Sequence, residues 1–284
     1  MNIGIVGLGL IGGSLGLKLQ SLNHIIYGVT NNNLNATKAK ERNLAQFISP
    51  ELKILKECSL IILALPIKDL INPSPKLIEA IPKGAIVTDV GSIKDPIIKI
   101  WENIHPLFIG SHPMAGTEQR GVNAGFKSLF DNSKWIITPT KKTNPNSLDK
   151  LSDLVTSLGC EICLSSPAIH DQAVSLISHL PIYLASSLIK TASSIDDQEL
   201  IKLSFNIAAS GFRDTSRVGG GNPELGIDLA KNNKVNILKA LDMFKANICE
   251  IENHIQNENW DLLKKELENS KHKRNNFLSK EPIY

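Results

Sequence analysis

Residues 111–117 (SHPMAGT) include a side chain suited to proton transfer, His112. An imidazole has an unperturbed pKa near neutrality. In the oxidation of an alcohol it could accept the proton of the hydroxyl group while the carbon that bears this group gives up a hydride. His112 is therefore the predicted general base. A histidine before a proline can also be an ordinary loop residue with one satisfied hydrogen bond.

Residues 91–94 (GSIK) supply a second catalytic candidate, Ser92. Its hydroxyl could donate to a substrate oxygen or orient His112. A serine that opens a helix is also a common N-cap, which is the alternative interpretation of Ser92.

The chain begins with an apolar strand, a glycine-rich turn and a helical stretch, NIGIVGLGLIGGS over residues 2–14. In this G-x-G-x-x-G pattern Gly7 permits a tight turn, Gly9 lets the backbone approach a pyrophosphate, and Gly12 lets the helix pack near the strand. The helix amides would face the anion. The pattern predicts a dinucleotide site and hence hydride transfer.

A second predicted strand over residues 24–30 (HIIYGVT) ends where NAD-binding chains usually carry an acid for the ribose 2′-hydroxyl. Here Thr30 and Asn31 follow, and no carboxylate appears before Glu41. Nothing repels a 2′-phosphate, so NADP is the expected cofactor and NAD stays possible. No arginine fork follows, and the asparagine run also suits a solvated turn. The expected cofactor contacts are Gly7, Gly9, Leu10, Ile11, Gly12, Thr30, Asn31 and Pro66.

The first half alternates short apolar runs with helical stretches. This pattern indicates an α/β fold, a Rossmann-type doubly wound, mostly parallel sheet covered on both faces. In such a sheet the reactive cleft lies beyond the carboxyl ends of the strands. Residues 91–94 and 111–117, which carry Ser92 and His112, each follow a predicted strand and so fall at this cleft. The predicted strands cover residues 3–6, 25–29, 60–65, 85–90, 107–110, 135–138 and 161–164.

From residue 167 onward the periodicity is helical, and Pro181 should kink or break the first helix. We predict two domains, a dinucleotide-binding domain over residues 1–165 and an all-α substrate and dimerisation domain over residues 166–284. Apolar helix faces in the second domain would pair two copies into a homodimer.

The end of the chain should form two further helices, over residues 235–255 and 260–269. The polar break at residues 257–259 indicates a turn between them. The lysine-rich residues 271–280 are interpreted as a solvated tail.

Two arginines in residues 210–224 (SGFRDTSRVGGGNPE) could bind a carboxylate. Arg213 and Arg217 lie four apart and would share a helix face, which implies an anionic substrate. Arg213 could instead belong to a structural network with a neighbouring acid. His179, beside the predicted break at Pro181, could be structural or could face a cleft.

Composition limits the classes of partner. The 284 residues, 42% of them hydrophobic, suffice for two packed domains, and a net charge of +3 with dispersed lysines favours neither nucleic acid nor a membrane surface. We find no uninterrupted apolar run long enough to cross a bilayer and no signal peptide, so we expect a cytoplasmic protein with a small-molecule substrate.

Cys58, Cys160, Cys163 and Cys249 form neither a disulfide framework nor a zinc pattern, so no metal site is expected. The C-x-x-C at residues 160–163 falls in a predicted strand, where positions three apart point to opposite faces. We therefore interpret these two thiols as structural.

Five segments together resemble the prephenate/arogenate dehydrogenase family, and their order and spacing match over nearly the whole chain. They are GLGLIGGS at 7–14, DVGSIK at 89–94, GSHPMAGTE at 110–118, ISHLP at 177–181 and SGFRDTSRVGGGNPELG at 210–226. The resemblance implies oxidation of a cyclohexadienol with loss of carbon dioxide. Arogenate would give tyrosine, and prephenate would give 4-hydroxyphenylpyruvate.

The resemblance also implies roles for individual residues. His112 takes the hydroxyl proton and Ser92 assists it, His179 matches a substrate-site histidine, and Arg217 matches the arginine that binds the ring carboxylate. Arg213 matches a position where lysine is tolerated. Thr117 is a further expected substrate contact.

Short members of the family are often NADP-dependent and prefer arogenate, and their helical domain forms a dimer. Asn31 departs from this pattern, because an NADP-specific relative could carry arginine there. The substrate therefore stays open between arogenate and prephenate.

Alternatives are an NAD-dependent, prephenate-specific member of the same family and a β-hydroxyacid dehydrogenase or imine reductase. The latter enzymes usually place a lysine in the first helix of the second domain, where this chain offers only Lys190, past the proline. A non-catalytic nucleotide sensor is a rival from another class. Methyl-donor-binding enzymes fit less well, because they too generally need an acid after the second strand.

Overall fold

An eight-stranded sheet is present in the computed structural model, which describes residues 1–279. The strand order is β3-β2-β1-β4-β5-β6-β7-β8, and every neighbouring pair is parallel except β6 and β7. The strands are β1 (Asn2–Val6), β2 (Ile25–Val29), β3 (Phe47–Ser49), β4 (Leu60–Leu63), β5 (Ile86–Asp89), β6 (Phe108–Pro113), β7 (Lys134–Thr138) and β8 (Glu161–Leu164).

The predicted doubly wound sheet is thus confirmed, and each of the seven predicted strands is present with small differences at its ends. The sequence analysis missed β3, a three-residue strand that pairs with β2 alone. A run this short gives no periodicity to detect.

Strand β6 is longer than predicted and contains His112, which we had placed after the strand. Its pairing with β5 ends at Thr88 and Ile109, and its later residues pair with antiparallel β7, where His112 lies opposite Ile136. The ladder with β7 supplies the hydrogen bonds that extend β6. His112 is therefore held on a rigid strand beyond the end of β5.

Helices cover the sheet, and polar side chains cap several of them: Asn32 begins α2, Ser74 begins α4 and Asn144 begins α6. The fully buried Trp101 of α5 stacks on Phe108 of β6 with ring centroids 5.5 Å apart, which fixes α5 beside the site. These helices are α1 (Leu10–Gln20), α2 (Asn33–Glu41), α3 (Ile67–Ile71), α4 (Pro75–Ala80), α5 (Asp95–Ile104) and α6 (Pro145–Ser157).

The residues between β8 and position 279 are mostly helical, as predicted. Pro181 lies in the first turn of α8, and the turn before it, Ser175–His179, is π-helical, because proline cannot donate the next backbone hydrogen bond. The predicted break is thus a π turn. The helices are α7 (Pro167–Val174), α8 (Leu180–Ser193), α9 (Gln198–Ile207), α10 (Ser210–Ser216) and α11 (Pro223–Asn232).

Among the described residues, one helical stretch, 167–193, has the length and apolar composition of a membrane span, with a mean hydropathy of 1.3. This differs from our expectation, because an average tolerates polar residues that interrupt an apolar run. The stretch contains the buried residues His170, Asp171 and His179, and α7 packs against α5 and β7.

Internal contacts divide the chain into one unit over residues 1–234 and another over residues 235–284. The predicted boundary at 165/166 remains a prediction. The second unit contains α12 (Lys234–Gln256), except for its first residue, and α13 (Trp260–Ser279). The predicted turn lies between these two helices. The predicted tail is wrong over residues 271–279, which continue α13 because lysine and arginine favour helix; Lys280 lies outside the described residues.

Candidate active site

A groove of about 790 Å³ opens at the carboxyl ends of β1, β2, β4 and β5, within the size range of small-molecule sites. Ser92 lies on its lining. So do all eight of the residues expected to contact the cofactor: Gly7, Gly9, Leu10, Ile11, Gly12, Thr30, Asn31 and Pro66.

The floor of the groove suits a dinucleotide. Gly7 has a φ of 97°, and a Cβ there would overlap the carbonyl oxygen of Ala64. A Cβ on Gly12 would overlap the carbonyl oxygen of Gly7, so the helix can approach the turn only without one. Gly9 begins α1 without a capping side chain, which leaves the first helix amides available to a pyrophosphate.

Thr30, Asn31 and Asn35 line the groove after β2, where Asn35 donates to the Asn31 side chain at 2.7 Å. Arg120 also lies on the lining, although it comes from the β6–β7 connection. The Arg42 guanidinium holds that connection by donating to the carbonyl oxygens of Val122 and Gly125 at 2.6 and 2.7 Å. A cation therefore reaches the groove from a segment remote from β2 in sequence.

His112 belongs to a chain of three buried polar side chains. Its Nδ1 lies 2.9 Å from Nε2 of His170, and Nδ1 of His170 lies 2.7 Å from Oδ1 of Asp171. Asp171 also accepts the backbone N–H groups of Lys94 and Asp95 at 2.7 and 2.9 Å, which caps α5. The three side chains thus join β6 to α7 and to the start of α5.

A buried ion pair lies beside this chain. Lys94 and Asp89 are fully buried, and the Lys94 ammonium donates to the Asp89 carboxylate and to the Ser111 carbonyl oxygen. Asp89 further accepts the backbone N–H groups of Gly91 at 2.8 Å and Ser111 at 3.2 Å. Burial raises the pKa of Asp89 and lowers that of Lys94, and the partner's charge opposes each shift.

Burial is the main reason that the pKa of His112 lies well below its usual value of 6.5, and electrostatic interactions with His170, Lys94 and His179 lower it further. His112 is therefore neutral at pH 7, the state in which an imidazole can accept a proton.

His179 is fully buried at the end of the π turn. The Asn233 amide donates to Nδ1 of His179 at 3.2 Å and to the carbonyl oxygen of Asp171 at 2.8 Å. Nε2 of His179 makes no hydrogen bond of standard geometry with the described residues, although the Ser92 backbone lies close enough to be a weak acceptor. Burial lowers the pKa of His179 to about 4, with His170 contributing, while Asp171 and the Ser92 backbone oppose the shift. Neutral His179 thus carries its proton on Nε2, as a donor.

Ser92 and His112 both lie near His179: the Ser92 backbone faces the His179 ring, and His179 lowers the pKa of His112. Ser92 is not the N-cap of α5; Lys94 occupies that position and Asp171 supplies the acceptor. The capping alternative for Ser92 is therefore wrong.

The three other predicted substrate residues are exposed. Thr117 accepts the Gln119 backbone N–H at 3.2 Å, and Arg213 pairs with Asp214 at 3.1 Å. Arg217 begins a 3₁₀ turn, Arg217–Gly220, and among the described residues no hydrogen bond or ion pair is recorded between it and the site histidines. The nearby Asn222 and Leu225 line the groove.

Sequence reasoning missed His170, Asp171, Asn233 and Arg120. His170 could have been found, because it falls three residues before Ala173 and four before Val174, on the apolar stripe of its helix. A histidine on a buried stripe needs a partner. Nothing in the sequence places Arg120 or Asn233 near the site.

Fold and groove together define a Rossmann-type nucleotide-binding oxidoreductase with a helical second part. A family model described as "Prephenate dehydrogenase, nucleotide-binding domain" matches residues 14–164, and one described as "Prephenate dehydrogenase, dimerization domain" matches residues 166–269. The chain belongs to the prephenate dehydrogenase family.

Individual relatives agree. The prephenate dehydrogenase of Bacillus subtilis is 32% identical over 91% of this chain and 71% of that protein. The crystal structure of Synechocystis arogenate dehydrogenase is 39% identical, with a TM-score of 0.83 over 98% of this chain and 100% of that one. Prephenate dehydrogenase from A. aeolicus, in complex with hydroxyphenyl propionate and NAD⁺, is 29% identical, with a TM-score of 0.90 over 98% of both chains.

Proposed function

We propose that this chain oxidises and decarboxylates arogenate to tyrosine, with NADP as the hydride acceptor. The carrying observation is a buried, neutral imidazole, His112, on strand β6, which pairs with the strand β5 whose end opens into a groove shaped for a dinucleotide. The similarity to Synechocystis arogenate dehydrogenase favours arogenate, whereas the name of the Bacillus subtilis relative favours prephenate. Prephenate with NAD is the second candidate.

His112 is the proposed general base, and it accepts the proton of the ring hydroxyl at Nε2. As the carbinol carbon loses its hydride, the oxygen keeps the electron pair of the broken O–H bond and forms a carbonyl. The ring carboxylate then leaves as carbon dioxide, the electron pair of its C–C bond passes through the ring to the carbonyl oxygen, and the phenolate of the now aromatic ring takes back the proton from His112, so the oxidation is coupled to an irreversible step. The bound nicotinamide would supply the hydride acceptor. Ser92 orients the hydroxyl, and the Nε2–H of His179 donates to a polar group of the substrate.

The exposed residues Arg217, Arg213 and Thr117 are proposed to bind the substrate, and the two arginines would pair with its negative charge. Arg217 binds the ring carboxylate through a forked, charge-assisted contact. Arg213 has a smaller role because its guanidinium already pairs with the Asp214 carboxylate. Thr117, on the connection after β6, is the further proposed substrate contact.

For the cofactor, the hydroxyl and amide groups of Thr30, Asn31 and Asn35 would receive the 2′-phosphate, and Arg120 would supply the cation that the end of β2 lacks. Asp69 is the one carboxylate among the residues described on the groove lining. Arg120 thus compensates for asparagine at position 31.

We also propose that the protein works as a cytoplasmic homodimer. Support comes from the family description of residues 166–269 as a dimerization domain and from exposed apolar side chains on the helices, such as Leu203, Phe205 and Ile207 on α9.

The test is a reduced-cofactor assay that crosses arogenate and prephenate with NADP and NAD. We expect the highest kcat/KM for arogenate with NADP. Arg120→Ala should raise the KM for NADP about tenfold and leave that for NAD nearly unchanged, whereas Lys127→Ala, on the same connection but off the groove lining, should change neither. Absence of turnover with either dienol would refute the proposal and favour a nucleotide sensor.

A further inference from the structure

A fixed proton arrangement connects His112 to Asp171. An ionised carboxylate only accepts hydrogen bonds, and the Asp171 carboxylate receives the N–H groups of Lys94 and Asp95 in addition to Nδ1 of His170. Nδ1 of His170 must therefore carry a proton.

With this single proton on Nδ1, the other ring nitrogen of His170, Nε2, is an acceptor. It lies 2.9 Å from Nδ1 of His112, so His112 must place its proton on Nδ1. This leaves Nε2 of His112 unprotonated, with no hydrogen bond from the described residues. Since an isolated imidazole favours the Nε2–H form, the base would otherwise spend most of its time in the wrong tautomer.

We propose that His170 and Asp171 are positioning residues that fix the tautomer of His112, so that Nε2 is always ready to accept the hydroxyl proton. The inference rests on the proposed role of His112 as the base. Once His112 has taken the proton, its Nδ1–H keeps donating to His170, whose own proton is held by Asp171. The Asp171 carboxylate thus stabilises, through His170, the positive charge that forms on His112, without taking a proton itself.

The surroundings favour this single arrangement. The three hydrogen-bonded side chains are shielded from solvent, with His170 1% and Asp171 3% exposed, so water cannot replace a missing partner. The charged or titratable groups that influence His112 are His170 of α7, Lys94 at the start of α5 and His179 of the π turn. Lys94 is committed to Asp89 and to the Ser111 carbonyl oxygen, and Asn233 donates to Nδ1 of His179. Among these neighbours, His170 alone is recorded in a hydrogen bond with the His112 ring in the part of the chain described.

The direct test is imidazole ¹⁵N spectroscopy of the full-length protein labelled at histidine, with the His112 signals assigned by their loss in His112→Asn. We expect the Nδ1–H tautomer for His112 and for His170 in the wild type at pH 7. Observation of His112 as the Nε2–H tautomer in the wild type overturns the inference, whatever the activity of the variants.

The second test is His170→Phe, which keeps a ring but removes the acceptor. We expect His112 to shift to the Nε2–H form and kcat to fall at least about tenfold, with the KM for the dienol changed less than threefold. His105→Phe is the matched control, because His105 is also buried but contacts the Pro82 carbonyl oxygen at 3.2 Å, away from the site. It should leave the His112 tautomer and kcat unchanged.

The two hypotheses fail differently. If His112→Asn keeps full turnover, His112 is not the base, and the proposed function is refuted. Loss of turnover in His112→Asn together with normal kcat and an unchanged His112 tautomer in His170→Phe refutes the positioning role alone.

Discussion

The backbone N–H of Lys94 donates to Oδ1 of Asp171 at 2.7 Å, although 77 residues separate them along the chain. Through this contact Asp171 of α7, the helix that follows the last strand of the sheet, caps the N-terminus of α5. The same carboxylate receives His170, so the start of α5 and the partner of His112 are fixed by one group. The geometry of the site therefore depends on contacts that neither half could make alone.

Lys94 should be required for folding because its partner is buried. Lys94→Met leaves the Asp89 carboxylate without its cation and should lower the free energy of unfolding by about 3–5 kcal/mol. Urea unfolding would measure the loss. Lys99→Met is the control, because the Lys99–Asp95 pair is exposed and should contribute less than about 1 kcal/mol. Equal effects of the two variants would contradict the importance of burial.

Gly9 is predicted to matter for the cofactor and not for the fold. A Cβ at Gly9 meets no heavy atom within 4 Å, yet it would enter the space where a pyrophosphate must approach the backbone. Gly9→Ala should therefore keep the wild-type Tm and raise the Kd for NADP at least about tenfold. Gly84→Ala, which is equally open but off the groove lining, should change neither quantity. Fluorescence titration and thermal unfolding test this, and unaltered NADP binding by Gly9→Ala would count against the site.

Short-range chemistry accounts for what could be predicted. The turn at Gly7, the alternation of strands and helices, and the position of His112 near the end of a strand follow from local sequence patterns, whereas the strand order was not predicted. His170 lies on a stripe that we had interpreted as apolar, so its polarity was the missed signal. Arg120 and Asn233 reach the site through the path of the chain, which no local pattern encodes. The same holds for Asp171, whose partners are 76 and 77 residues away.

Arg217 and Arg213 should differ in their effect on substrate binding. Arg217→Ala should raise the KM for the dienol about 10- to 100-fold with kcat changed only a few-fold, since a charge-assisted contact present in both ground and transition states is lost. Arg213→Ala should change KM less than about threefold, because Arg213 already pairs with Asp214. Steady-state kinetics on both variants decides this, and the reverse order would assign the carboxylate to Arg213.

His112→Asn should lower kcat by about 10²–10⁴ while NADP binding stays nearly unchanged, because the variant lacks only the proton acceptor. The pH profile adds a second readout. Burial places the pKa of His112 well below 6.5, so the base should stay deprotonated, and kcat/KM should stay level, as pH falls from 8 to 6.5. The remaining activity of the variant should show no acid limb from this group. A wild-type limb centred at or above pH 6.5 would contradict the depressed pKa.

His179 should make stability depend on pH. Its pKa is about 4 in the folded protein against 6.5 for an ordinary histidine, so the unfolded chain binds the proton more readily. The stabilisation is complete above pH 6.5 and is lost as pH falls toward 4, which amounts to about 2 kcal/mol between pH 7 and pH 5. His112 shifts in the same direction and adds to the loss. Urea unfolding at the two pH values should show a smaller decrease for His179→Gln than for the wild type, whereas His272→Gln, at an exposed position of α13, should behave like the wild type. An equal decrease in His179→Gln would mean that the acid sensitivity originates elsewhere, because only the removed imidazole distinguishes the two proteins.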